Sequence, residues 1–314
     1  MRKIAILVVA LVIIGSAGVR GTLRAAAQSD DALRLLPDGL GVVTIDIQSV
    51  TSSDLWTSLS QKAGPSKSLG EIQADLATLG LKLSDLKSAA VAIPASQANG
   101  VAAVINGSFS QDDLLSHIRD NAKVKLSQEP YKGATVYRVD NAATRKEEAS
   151  FTFYDAGTIV MGSATGVRAA IDVRAGEKPS LAQNEKLSGA MTENGSAAIR
   201  FAFAPTAGMT GGIHSSTIPL PDFTSVNLIF GTVGISSGID LNATLRNDTA
   251  EHAKAMANQL NGLLAMARGF LGSSSNAKNA PLVDAIKNIT ITDSNADVKI
   301  SGNLPKEALA QIIH

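Results

Sequence analysis

The chain has 314 residues, 45% of them hydrophobic and 18% charged, with 28 Lys and Arg balanced against 28 Asp and Glu. That apolar content excludes wholesale disorder, and the charge balance excludes a nucleic-acid binder working through a broad basic surface. The absence of cysteine removes disulfides, thiolate catalysis, thiolate zinc sites and lipid attachment through an N-terminal cysteine.

Arg2 and Lys3 precede an uninterrupted apolar run from Ile4 to Ile14, which Gly15 to Val19 extend without charge. A membrane span needs ~20 apolar residues, and this run stops short of that. Arg20 and Arg24 follow, and Ala25 and Ala27 supply the A-x-A pattern that a signal peptidase reads. The expectation is a signal peptide over residues 1–27, with an uncleaved, membrane-tethering segment as the alternative. Its removal takes away four positive charges and leaves the remainder net negative by four. No later stretch approaches spanning length, so the expected location is periplasmic or extracellular.

Val43, Ile45 and Ile47 then alternate with Thr44 and Asp46 as a half-buried strand. Helices are predicted over 53–62 and 69–79, broken at Gly64-Pro65-Ser66. Strands follow over 89–93 and 101–109, and Ser110, with Asp113 three residues on, opens a helix carrying Leu114, Leu115 and Ile118. Phe151 and Phe153 begin a strand that turns at Asp155-Ala156-Gly157 into 158–163. Thr165 is the expected cap of the helix bearing Val167, Ala170 and Ile171. A lone strand is predicted over 197–204. Strand 226–235 pairs with the strictly alternating Ile239–Arg246, and a long helix starts from Asp248 and Glu251. Ile289 and Ile291 turn at 293–297 and return as Val298 and Ile300. Asn303 is expected to cap a terminal helix with Pro305 in its first turn.

Strand, turn, strand, capped helix thus recurs four times, the units beginning near 89, 149, 226 and 288, with a lone strand before each pair. The inferred fold class is α+β: antiparallel sheets covered by helices on one side, with an internal duplication of one strand plus two strand–strand–helix units per half. The halves are 28–190 and 191–314, either separate or continuous as one domain.

The stretch Phe153-Tyr154-Asp155-Ala156-Gly157-Thr158-Ile159-Val160-Met161-Gly162-Ser163, followed by Val167, Ala170-Ile171-Asp172, Gly176 and Ser180-Leu181, resembles a recurring block in large exported bacterial proteins of unknown function. There a hairpin ending Val-x-Gly-Ser precedes a helix with an Ala-Ile pair and then Gly-x-x-x-Ser-Leu. The resemblance, centred on residues 151–181, implies a bacterial envelope setting and brings no activity, cofactor or functional residue.

His214 lies in a stretch from Pro205 to Phe223 without periodicity; long loops of this kind are either functional or mere mobile connections. Met209, Ile213 and Phe223 give that loop apolar groups. The stripe Ala253, Met256, Leu260, Leu263, Leu264, Ala267 and Phe270 on the long helix reads as a core face, or as the lining of an apolar pocket. Met209, Ile213, His214, Phe223, Met256 and Leu260 are therefore the candidate ligand-binding residues. His117, four residues after Asp113, reads as a solvated helical pair, and His252 beside Glu251 reads alike. Asp293-Ser294-Asn295-Ala296-Asp297 opens like a calcium loop but has Val298 and Leu304 where glycine and glutamate belong, so it reads as a hairpin turn. No catalytic residue, metal site or cofactor is expected. The function read from the sequence is a non-enzymatic binding or structural module of the envelope, its partner an apolar small molecule or another envelope protein. The alternative is a hydrolase assembled around residues 205–223.

Overall fold

The computed structural model describes residues 31–62, 76–77, 80–144, 147–210, 222–235, 238–272, 280–306 and 308–309. The expected signal peptide and most of the helix expected at 69–79 lie outside these residues. In chain order the elements are β1 (Gly41–Asp46), α1 (Ile47–Thr51), α2 (Asp54–Lys62), β2 (Leu86–Ile93), β3 (Ala102–Gly107) and α3 (Gln111–Asp120). There follow β4 (Val124–Tyr131), β5 (Ala134–Asn141), β6 (Glu147–Asp155), β7 (Thr158–Gly162), α4 (Ala164–Arg174) and α5 (Glu185–Glu193). The second part holds β8 (Ile199–Phe203), α6 (Ala207–Thr210), β9 (Val226–Ile235), β10 (Gly238–Asn247), α7 (Ala250–Gly272), α8 (Ala280–Lys287), β11 (Thr290–Ser294) and β12 (Asp297–Pro305).

The strands form one 12-stranded sheet in the order β11-β12-β10-β9-β8-β1-β2-β3-β7-β6-β5-β4, with every neighbouring pair antiparallel. The α+β class holds. Outward from β1 the order is β2, β3, then the β6–β7 hairpin entered from β7; outward from β8 it is β9, β10, then the β11–β12 hairpin entered from β12.

Helices cover both faces of this sheet, not the single face expected. On one face Val42, Ala90, Ala92, Val104, Val160, Ala202 and Phe230 meet Leu36, Ala170, Leu181, Leu187 and Met191. On the other, Ile45, Ala89 and Ile199 meet Ile47, Val50 and Leu55, while Ala103, Phe151 and Met161 lie under Leu114, Leu115 and Ile118 of α3. Leu245 and Val298 on this same side are roofed by Ala253, Met256 and Ala257 of α7. The central strands are buried on both sides because their residues are apolar at consecutive positions, as in Ala89-Ala90-Val91-Ala92. On the flanking β10 apolar and polar residues alternate in sequence; Leu245 is buried, whereas Leu241 and Asn242 are both exposed.

Three local expectations are corrected. The cap of α4 is Ser163, whose hydroxyl accepts from the Gly166 amide at 3.2 Å; Thr165 stands inside the first turn. Pairing with β10 continues β12 through Pro305, so Asn303 is a strand residue whose amide donates to Asp240 and caps nothing. Between α3 and β6 lies the β4–β5 hairpin, where no strands are expected from the pattern; Lys132 (φ 48°) and Gly133 (φ 79°) make its two-residue turn.

α4 begins hard against the backbone that leads into β3. A Cβ on Gly166 would come within 2.1 Å of the Val101 carbonyl oxygen, so only glycine lets the helix's first turn rest on that backbone. Beyond α4, the chain returns to the N-terminal part: the Leu181 amide donates to the Leu36 carbonyl at 2.9 Å, and Pro37 bridges to Ser180.

Candidate functional site

The 3.6-residue period of α4 divides it into two stripes. Val167, Ala170 and Ile171 are buried inward, where they meet the two apolar clusters on this side of the sheet. Thr165, Arg168, Ala169 and Asp172, at positions i, i+3, i+4 and i+7, line a cleft of about 420 Å³. Its other walls come from Pro94, Ala98, Asn99 and Gly100 of the β2–β3 connection, Tyr131 at the end of β4, and the facing segments Pro37-Asp38 and Lys178-Pro179.

Asp172 is the hub of this wall. Its side chain is 9% exposed and accepts from the Tyr131 hydroxyl at 3.0 Å, from Lys132 Nζ at 2.6 Å, and from Lys178 Nζ at 3.1 Å. Burial alone pushes its carboxyl up, but the hydrogen bonds from Lys132, Lys178 and Tyr131 outweigh it and hold the group below its ordinary value. Lys132 also bonds Glu177, and its two carboxylate partners, Asp172 first, raise its ammonium above the usual lysine range. Arg168 pairs with Glu129 and lies over the Tyr131 ring, 5.5 Å from the centroid; Lys132 lies over the same ring at 5.3 Å. The β4–β5 turn is therefore fastened to α4 by charge and by ring contact together.

Among the described residues, three buried side-chain atoms have no hydrogen-bond partner: Thr152 Oγ1, Tyr154 Oη and Arg168 Nε. Burial pushes the Tyr154 phenol up to about 12, with Arg174 stacked 4.4 Å from the ring centroid. Of the three residues, only Arg168 lines the cleft.

A second, smaller hollow of about 150 Å³ lies at the start of α7, lined by Asp222, Thr224, Ser225, Asp248, His252, Met256 and others. His252 Nδ1 is 2.6 Å from Asp248 Oδ1, which raises the imidazole's pKa and lowers the carboxyl's. In sequence His252 stands beside its chain neighbour Glu251; the structure pairs it instead with Asp248, four residues earlier. His117, by contrast, has its Nδ1 at 3.1 Å from the Asp113 backbone carbonyl and not on the Asp113 carboxylate. The turn between Ser294 and Asp297 connects β11 to β12.

The six residues expected to bind ligand are distributed as follows. Met209 is exposed on α6, 48% accessible. Ile213 and His214 lie outside the described residues. Met256 is 2% exposed inside the cluster beneath α7, with Phe223 and Leu260 packed against it. The structure thus brings Phe223, Met256 and Leu260 together, with Met256 also lining the smaller hollow, while Met209 is not part of that cluster. The residues missed were Tyr131, Arg168, Asp172 and Lys178. The signal that finds three of the α4 lining residues is the polar i, i+3, i+7 stripe Thr165, Arg168, Asp172, complementary to the apolar stripe that was read.

Among the described residues no group of three His, Asp or Glu is placed to hold a metal ion, and no helix is long and apolar enough to cross a membrane. No protein-family model matches the chain, and no curated protein matches it significantly. Solved structures do share its fold. Crystal form III of TP0453 aligns with a TM-score of 0.51 at 8% identity, over 90% of this chain and 96% of that one. Crystal form IV of TP0453 aligns with a TM-score of 0.50 at 11% identity, over 92% and 98%. At such identity the likeness is one of fold alone.

Proposed function

We propose that the chain is an exported, non-enzymatic binding module that seats a small molecule in the cleft walled by α4, the β4–β5 turn and the β2–β3 connection. The cleft itself carries the reading: about 420 Å³ lies within the ~300–1,000 Å³ of ordinary ligand sites, with an apolar Pro, Ala and Tyr lining and a few convergent polar groups. The hollow beside His252, at about 150 Å³, falls below that range. A binding role rather than a catalytic one is supported by Asp172, since a carboxylate held ionised by three donors is a poor proton acceptor. Export is supported by Arg2-Lys3, the apolar run after them and Ala25-x-Ala27. The same reading takes the scaffold as two similar halves, supported by the matching strand order outward from β1 and from β8.

A diverse fragment library screened by protein-observed NMR tests the proposal. Amide shifts from the hits are expected to cluster at residues 94–100, 131–133 and 165–179. Hits that cluster elsewhere, or a library with no hits, refute it.

A further inference from the structure

Arg168 presents an incompletely used guanidinium to the cleft. Nη2 holds Glu129, whereas Nε, the other atom of the edge that grips an oxyanion with two parallel bonds, is buried without a partner. A buried donor left unmatched is costly, and such a group in a folded protein calls for a partner that is absent from the chain. The Glu129 carboxylate is a weak competitor for that edge: it is 48% exposed and Arg168 42% exposed, the setting in which an ion pair contributes ~0.2–1 kcal/mol. Lys178, whose side chain is 52% exposed and also lines the cleft, adds a second cationic head with donors to spare beyond its one bond to Asp172. Asp172 itself is buried and already holds three donors, so it stays in place and holds the wall. The lining also includes Pro37, Pro94, Ala98 and Pro179, surfaces that shelter a compact apolar body, and Asp38, whose Oδ1 accepts from the Gly39 amide and from Asn184 Nδ2.

We infer that the ligand is a small amphipathic anion: a carboxylate or phosphate taken by Arg168 in exchange for Glu129 and supported by Lys178, with its apolar body against the prolines. The inference rests on the proposed binding role and names the chemical class for that same cleft.

The test uses the full chain and four probes: benzoate, phenyl phosphate, inorganic phosphate, and benzamide as the uncharged shape-mate of benzoate. At least one of benzoate and phenyl phosphate is expected to bind with shifts at Arg168 and Lys178, at least tenfold more tightly than benzamide and more weakly as salt rises. Which of the two prefers the site separates carboxylate from phosphate. Inorganic phosphate is expected to bind more weakly than phenyl phosphate, because it lacks the apolar body. Arg168→Gln should lower affinity at least tenfold. Glu129→Gln should raise it two- to fivefold by removing the competitor, a direction that damage to the fold does not produce, and it keeps the test decisive if Arg168→Gln misfolds. Benzamide binding in the cleft as tightly as benzoate, or Glu129→Gln weakening or not changing the anion, overturns the anion assignment and leaves the cleft as a ligand seat. Anions whose shifts map outside the cleft overturn the assignment as well. Failure of all four probes overturns the anion class, and with a blank fragment screen the binding reading falls too.

Discussion

Asp172→Asn keeps the volume of a buried side chain and removes the charge on which three donors converge. The wild-type carboxylate accepts from Tyr131 at 3.0 Å, Lys132 at 2.6 Å and Lys178 at 3.1 Å. Hydrogen bonds to a charged group contribute about 1.5–3 kcal/mol each, and breaking a fully buried ion pair costs about 3–5 kcal/mol. Neither figure applies whole. Lys132 and Lys178 are 34% and 52% exposed, so both ammonium groups regain water, and Lys132 keeps Glu177. The asparagine oxygen still accepts from Tyr131. The expected loss is therefore about 2 kcal/mol, below that of a fully buried pair. Urea unfolding at pH 7 measures it. The sign of the pH dependence follows from the direction of the shift: the folded carboxyl lies below its ordinary value of 3.8. Its contribution is then complete above that pH and fades as pH falls through the lower, folded value. The gap between wild type and Asp172→Asn should stay constant from neutrality down to about that point and narrow below it. A loss inside the ~0.5 kcal/mol of ordinary surface substitutions refutes the hub. So does a gap that stays undiminished well below pH 3.8 while both proteins remain folded.

Ser163→Ala should cost about 1 kcal/mol as a lost helix cap and Thr165→Ala less than half of that; the reverse order in thermal unfolding would return the cap to Thr165. His252 should titrate above 6.5 by NMR and move back toward it in Asp248→Asn. The imidazole's share of the pair's stability is complete below 6.5 and lost as pH rises through its raised value. The Asp248 share is complete above 3.8 and lost as pH falls through its lowered one. The pair is exposed on both sides, so salt should reduce the shift.

Where an element had to hide a regular stripe, its residues announced it. The strands β9 and β10 and the helix α3 with its Ser110 cap stand where the periodicity put them. Elements that hide little were silent. β4 is an edge strand with mostly exposed side chains and Pro130 within it, a residue tolerated at an edge and read elsewhere as a strand breaker. α5 buries only Leu187, Ala190 and Met191, and Gly189 interrupts its short pattern. The second covered face was missed for the opposite reason. Short apolar runs such as Ala89-Ala90-Val91-Ala92 are double-sided, whereas the expectation was built on the alternating strands of the flank.

The unread hairpin and the unread site are a single omission. Glu129, Tyr131 and Lys132 all belong to the end and turn of β4–β5, and Asp172 is buried only because that turn folds onto α4. Without the hairpin, Arg168 and Asp172 look like the solvated side of an amphipathic helix, since nothing in their spacing distinguishes a charge facing water from one facing a wall. Histidines and Met/Leu stripes drew attention because those residue types carry chemistry or adaptable apolar surface wherever they stand. Arg, Lys, Asp and Tyr acquire a role here only through their neighbours. Those neighbours come from segments as far apart as Pro37 and Pro179, brought together by main-chain bonds such as that from Leu181 to Leu36. Local pattern specifies which face of α4 meets the sheet; only the order of strands across the sheet decides what its other face meets.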